Sequence, residues 1–126
     1  MTSNGEGRRG PAVEDSEGAY RAILYPMHWA AEQDRPSSAA FDEDVFSVDL
    51  KSRTTPGETA ARFRMVINLV EFSCGDARSL GFDTRDERDD IAPDNAAHAH
   101  VYFVLDKKQR KKQAKKLALA CKKVPF

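Results

Sequence analysis

Apolar and polar positions along this chain change rhythm every few residues, from runs that alternate to short blocks that repeat every three or four. Residues 20–25, Tyr20-Arg21-Ala22-Ile23-Leu24-Tyr25, carry enough aromatic and aliphatic side chains for a strand that Pro26 stops, with Arg21 pointing opposite to Tyr20. Val45-Phe46-Ser47-Val48-Asp49-Leu50 has a period of two, the pattern of a strand with one buried face. Residues 65–72 form a β-branched apolar run too short for a helix and predict a central strand. Residues 82–85 predict a brief extended piece, and residues 98–104, beginning His98-Ala99-His100-Val101, the last strand.

Helix signals fall between these strands. In Thr55-Pro56-Gly57-Glu58 the threonine can cap, the proline suits the first helical position and the glutamate can reach back to the cap amide, which predicts a short helix to about Phe63. Ser73 stands three residues before Asp76 and opens a second helix that ends at Gly81. Asp106 can cap a terminal helix over 107–123. Residues 27–41, punctuated by Pro36-Ser37-Ser38, predict a structured loop anchored by His28, Trp29 and Phe41, and residues 86–95 predict a solvated acidic loop. The fold class is therefore α+β: a small mixed or mostly antiparallel sheet with two short helices and a C-terminal basic helix. The helices are expected to cover one sheet face and leave the other for loops or a partner. Residues 1–17, rich in Gly, Ser and charge, predict a flexible N-terminal tail, and residues 18–126 a single globular domain.

Composition narrows the class. At 126 residues with 40% hydrophobic and 32% charged content, the chain has material for one core under a highly charged surface. No apolar run approaches the ~20 residues that span a bilayer, so no membrane partner is expected. Cys74 and Cys121 match no metal or redox spacing, which points to reduced thiols and a cytoplasmic location. No glycine motif cradles phosphate, and no cofactor is expected.

Net charge is zero, yet the charges are segregated. Lys107, Lys108, Arg110, Lys111, Lys112, Lys115, Lys116, Lys122 and Lys123 lie in the C-terminal stretch; Asp42, Glu43 and Asp44 form one acidic cluster, and Asp83, Asp86, Glu87, Asp89, Asp90 and Asp94 a second. Ala114, Leu117, Cys121 and Val124 follow at three- and four-residue steps, a narrow stripe that would dock on the sheet, whereas residues 107–113 hold no apolar side chain and are expected to project into solvent or fray. Like charges four residues apart destabilise a helix, so a compensator is expected unless the lysines are simply a solvated face. The candidates are the acidic loop 86–94, an acidic protein partner, or a nucleic-acid backbone. The binding residues would be Lys107, Lys108, Arg110, Lys111, Lys112, Lys115 and Lys116. Without interleaved aromatics, any nucleic-acid binding would be nonspecific phosphate contact.

Candidate chemistry is sparse. His98 and His100, two apart on a strand, share a face and could bind a metal if His28, Asp76, Cys74 or a loop carboxylate supplied a third ligand. This is the basis for a metal-dependent enzyme as the alternative function; imidazoles satisfied by backbone partners are the simpler reading. Cys74 at a helix start could have a lowered pKa or be a small buried hydrophobe. Arg21, Ser37, Ser38 and Ser47 together resemble the early part of ADP-ribosyltransferase-like folds, but no glutamate follows Glu87, so the catalytic group that resemblance implies is missing, and Arg21 is more simply a paired surface residue. Over most of its length, through Tyr20-Arg21, Ser37-Ser38-Ala39-Ala40-Phe41, Phe46-Ser47-Val48-Asp49-Leu50, Thr55-Pro56-Gly57-Glu58 and the late His98-Ala99, the chain resembles a group of small bacterial proteins of unassigned function. The resemblance implies a bacterial cytoplasmic protein and no activity. The function these residues predict is an accessory or protein-interaction module with segregated acidic and basic faces, without enzymatic activity.

Overall fold

A computed structural model of the chain describes residues 9–87 and 95–126. In chain order its elements are β1 (Gly18–Ile23), β2 (Trp29–Ala30), β3 (Arg35–Pro36), β4 (Val45–Leu50), α1 (Pro56–Ala61), β5 (Asn68–Ser73), α2 (Cys74–Ser79), β6 (Phe82–Asp86), β7 (His98–Phe103), α3 (Arg110–Ala120) and β8 (Lys122–Val124). Six strands form one sheet in the order β6-β7-β4-β1-β5-β8, with every neighbouring pair antiparallel, and β2 and β3 form a separate hairpin. The α+β class and the antiparallel sheet agree with the sequence pattern. No helix among the described residues is long and apolar enough to cross a membrane.

The period-two strands sort their residues onto two faces. Phe46, Val48 and Leu50 of β4 join Ala19 and Ile23 of β1, Val70 and Phe72 of β5, and Ala99 and Val101 of β7 in one core. That core is closed by Ala114, Leu117 and Ala118 of α3, Cys74 and Ala77 of α2, and Phe41, which follows the 3-10 turn Ser38–Ala40. Phe41 meets Phe46 and Phe72 edge-on at centroid distances of 5.5 and 6.0 Å. The helices do not all cover this face, however. α1 lies over the other one, where its Thr59 reaches Asp49 of β4.

The capping signals act as their chemistry predicts. Thr55 Oγ1 accepts from the Glu58 amide at 3.1 Å and the Thr55 amide donates to Glu58 Oε1 at 3.2 Å, closing a capping box at α1. Ser73 Oγ accepts from the Asp76 amide at the start of α2. Gly81 ends that helical segment at φ 97°, and an added Cβ would fall 2.6 Å from Leu105 Cδ1, so conformation and space both call for glycine.

Three expectations change. The predicted helix 107–123 is a 3-10 turn, Lys107–Gln109, then α3, then a strand: Lys122–Val124 pairs with the outer edge of β5, Leu69 opposite Val124. That edge would otherwise present unpaired amides and carbonyls, and a long-range partner outweighs local helix propensity. Lys107, Lys108, Gln109, Lys111 and Lys112 project into solvent as expected, while Arg110 and Gln113 are tied to the rest of the fold, Gln113 through the Leu80 carbonyl at 3.1 Å. The loop 27–41 contains the β2–β3 hairpin, turned at Asp34 with φ 54°. Of the predicted tail 1–17, residues 9–17 lie against the sheet: the Val13 amide donates to the Thr84 carbonyl at 3.0 Å and the Asp86 amide to the Pro11 carbonyl at 2.9 Å. These contacts are mostly backbone, which composition does not register. Residues 1–8 and most of the predicted acidic loop, residues 88–94, lie outside the described residues.

Candidate functional site

The sheet face opposite the core carries a row of ionisable groups. Pairing of β4 with β7 sets Asp49 beside His98 and Ser47 beside His100. Asp49 is buried, and its carboxylate is fully engaged: Oδ2 accepts from Thr59 Oγ1 at 2.8 Å and from Arg62, and Oδ1 accepts from Asn95 Nδ2 at 3.0 Å. Thr59 and Arg62 stand three residues apart at the end of α1, so one helical turn supplies both donors.

His98 and His100 do share a face, as their spacing predicts, with ring centroids 4.9 Å apart. They have different surroundings. His100 Nδ1 lies 3.1 Å from Glu87 Oε1, and the same oxygen accepts from the Tyr102 hydroxyl at 2.5 Å, while Glu87 Oε2 accepts from the Gly10 amide at 2.6 Å. Burial raises the Glu87 carboxyl, but those donors outweigh it and hold the group below its ordinary value. Tyr102 is pushed up to about 12 by burial and by its bond to Glu87. His98 Nε2 is buried with no hydrogen-bond partner among the described residues.

The third metal ligands weighed from sequence do not gather here. His28 packs against Tyr25, Asp76 lies at the start of α2, and Cys74 is in the core on the opposite face. Among the described residues no group of three or more His, Cys, Asp or Glu side chains could hold a metal ion.

Burial lowers the pKa of His98, reinforced by His100, and lowers that of His28, reinforced by Arg21. Between pH ~6.5, the ordinary imidazole value, and the lower folded values, the unfolded chain takes up protons that the folded one resists. The stability these neutral rings confer is complete above that pH and is lost as pH falls below it. Urea unfolding followed from pH 8 to pH 5 is expected to show this decline, and His98→Gln is expected to flatten it.

Arg21 is a structural tie on the core side. Its guanidinium donates to the Ala40 carbonyl at 3.0 Å and the Ser47 carbonyl at 3.0 Å, pairs with Glu43 at 3.3 Å and lies over the Phe46 ring at 4.8 Å. Ser37 Oγ donates instead to the Met27 carbonyl at 2.7 Å. The Cys74 thiol is pushed up to about 11 by burial and Cys121 up to about 12, so the activated-thiol option for Cys74 fails; both cysteines are free.

The basic segment is divided by its neighbours. Arg110 Nε donates to Asp42 at 2.8 Å and its NH1 pairs with Asp44, which engages the first acidic cluster within the fold. Asp83 bridges Arg78 and Arg85 at 3.0 and 2.8 Å, and Asp86 meets Arg53 at 2.7 Å. Lys123 reaches Asp34 at 3.0 Å from β8. Lys107, Lys108, Lys111, Lys112, Lys115 and Lys116 are all exposed, and none pairs with a carboxylate of the described residues. Within α3, four-residue spacing places Lys111 with Lys115 and Lys112 with Lys116 in two adjacent rows along one outer ridge, and Lys107 and Lys108 lie on the 3-10 turn before it.

Sequence reasoning missed Asp49, Thr59, Arg62, Asn95, Glu87 and Tyr102. An acid on an otherwise apolar alternating strand was the signal for Asp49, and Tyr102 continues the two-residue step from His98 and His100. No protein-family model matches the chain, and no curated protein or solved structure matches it either.

Proposed function

We propose that the protein is a cytoplasmic interaction module that docks an acidic face of a partner protein onto the lysine ridge of α3. The observation that carries this reading is an asymmetry: Asp42, Glu43, Asp44, Asp83 and Asp86 are paired with arginines, whereas the exposed ridge lysines have no counter-ion among the described residues. The two free thiols are in keeping with a reducing compartment. Exposed Val104 and Leu105 precede the ridge in the chain and exposed Leu119 follows it on α3, adding apolar area of the kind found in protein interfaces. A net charge of zero disfavours a long nucleic acid, which would meet the acids as well as the ridge, while a compact acidic patch meets the ridge alone. Lysine supplies steering and salt-sensitive attraction more than geometric selectivity, so the partner's shape would determine specificity.

Polyglutamate and a DNA duplex of matched charge serve as probes in a fluorescence titration. Polyglutamate is expected to bind at low salt and to weaken steeply between about 50 and about 300 mM NaCl, as exposed charges are screened. The variant with Lys108, Lys111, Lys112 and Lys115 each replaced by Glu is expected to lose at least about tenfold in affinity with its melting temperature little changed, because these side chains are exposed. Equal binding by that variant, or binding indifferent to salt, overturns the proposal. Tighter binding of the duplex reassigns the ridge to nucleic-acid phosphate.

A further inference from the structure

Exposed apolar side chains stand at the two ends of the lysine ridge and nowhere between. Before it, Val104 and Leu105 are 51% and 46% exposed. The Val104 amide donates to the Gly81 carbonyl at 2.9 Å, which fixes that end to the fold. After it, Leu119 is 55% exposed and stands four residues beyond Lys115 and three beyond Lys116, so it continues the lysine rows on the same side of α3. From Asp106 to Ala118 every exposed side chain is polar. Asp106, the one acid in that stretch, accepts from the Lys108 amide at 3.0 Å, and Arg110 is drawn to Asp42 and Asp44. What faces solvent is a run of unpaired lysines closed by an apolar residue at each end.

We infer that the ridge takes an extended segment of the partner in which a run of acidic residues is flanked on each side by an apolar one. The acids lie along the lysines, and the apolar side chains rest on Val104 and Leu105 at one end and on Leu119 at the other. This rests on the acidic-partner reading above and adds to it the order and spacing of the partner's residues. A 3-10 turn rises ~2.0 Å per residue and an α-helix ~1.5 Å, so Lys107 and Leu119 are about 20 Å apart along the ridge. An extended chain at ~3.3 Å per residue covers that span in about six residues. A partner helix fits less well, because helices pack by interdigitating side-chain ridges around an apolar seam and the middle of this face offers no such seam. An acidic run, by contrast, repels itself into an extended form. The lysines supply attraction, and the two apolar ends set the register.

The test titrates the full chain with labelled peptides of equal charge: a run of about six glutamates flanked by leucines, the same run flanked by serines, and the same run with both leucines at one end. The leucine-flanked peptide is expected to bind at least about fivefold tighter than the serine-flanked one, as apolar burial adds to charge attraction, and tighter than the peptide with both leucines at one end. Leu119→Ser is expected to remove most of that gain while leaving serine-flanked binding unchanged, the coupling that contact between the two leucines requires. Leu119 is exposed, so the variant's melting temperature is expected to change little. Serine-flanked binding with no gain from leucine, a gain that Leu119→Ser does not reduce, equal weakening of both peptides by that substitution, or equal binding of the two leucine peptides would each overturn this inference and leave the acidic-partner reading standing. Binding of none of the peptides overturns both.

Discussion

Phe41→Ala is expected to lower the free energy of unfolding by about 3–5 kcal/mol, the range for emptying a large aromatic site in a packed core. Phe41 is 0% exposed and joins a turn to two strands of the sheet: it follows the 3-10 turn Ser38–Ala40, and its ring meets Phe46 of β4 and Phe72 of β5 edge-on. Removing the ring loses the transfer free energy of the side chain and two edge-on aromatic contacts, each worth about 0.5–1.5 kcal/mol beyond burial. The neighbours can collapse only partly, because Phe46 is also held by Phe82 and by the Arg21 guanidinium over its face. Urea denaturation followed by far-UV circular dichroism measures the loss. Phe63, 40% exposed, is the comparison, and its alanine variant is expected to change stability far less. A Phe41→Ala cost no larger than that of Phe63→Ala would mean that the core does not depend on this ring.

Asp49→Ala is expected to cost about 2–3 kcal/mol, through unsatisfied hydrogen bonds more than through a lost ion pair. The Arg62 side chain remains 33% exposed and can turn to water, so its charge is not stranded. Thr59 has no such freedom. It is 2% exposed and its hydroxyl donates to Asp49, so alanine leaves a buried hydroxyl without its acceptor. The Asn95 amide, which ties the approach to β7 onto β4, loses its acceptor as well. Asp49→Asn retains a carbonyl oxygen for Thr59 and is expected to recover part of the loss. If the two substitutions destabilise equally, negative charge on Asp49 matters more than hydrogen bonding. Chemical denaturation of both variants, with hydrogen exchange of the β7 amides, separates these outcomes: the Asn95 tie predicts faster exchange at His98 than at Phe103.

The two sites differ in how far they could be read from residues. Phe41 was recognisable as an anchor because a large aromatic in a polar, Ser-rich stretch has to be buried somewhere. Its partners were not, since Phe46 and Phe72 come from strands whose pairing no local pattern reports. The His98 and His100 pair was visible from spacing, as alternate strand residues share a face. The Glu87 carboxylate that joins His100 to Tyr102 was read only as part of an acidic run, because its role depends on β6 and β7 lying side by side. Arg21 was weighed as a site residue and is a tie to carbonyls, a distinction that only the position of the Ala40 turn decides.

Local chemistry by itself determined the strands at Val45–Leu50 and His98–Phe103, the capped starts of α1 and α2, the glycine stop at Gly81 and the α+β class. These depend on steric preference, side-chain periodicity and capping, which act over a few residues. Tertiary structure decided the rest: the strand order β6-β7-β4-β1-β5-β8, the turn of the basic segment from helix into β8, and the division of its cations between internal pairs and an open ridge. Those outcomes are set by which sheet edge needs a partner and which carboxylate lies within reach. Residues such as Arg110 and Asp42, far apart in the chain, meet only after the sheet has formed.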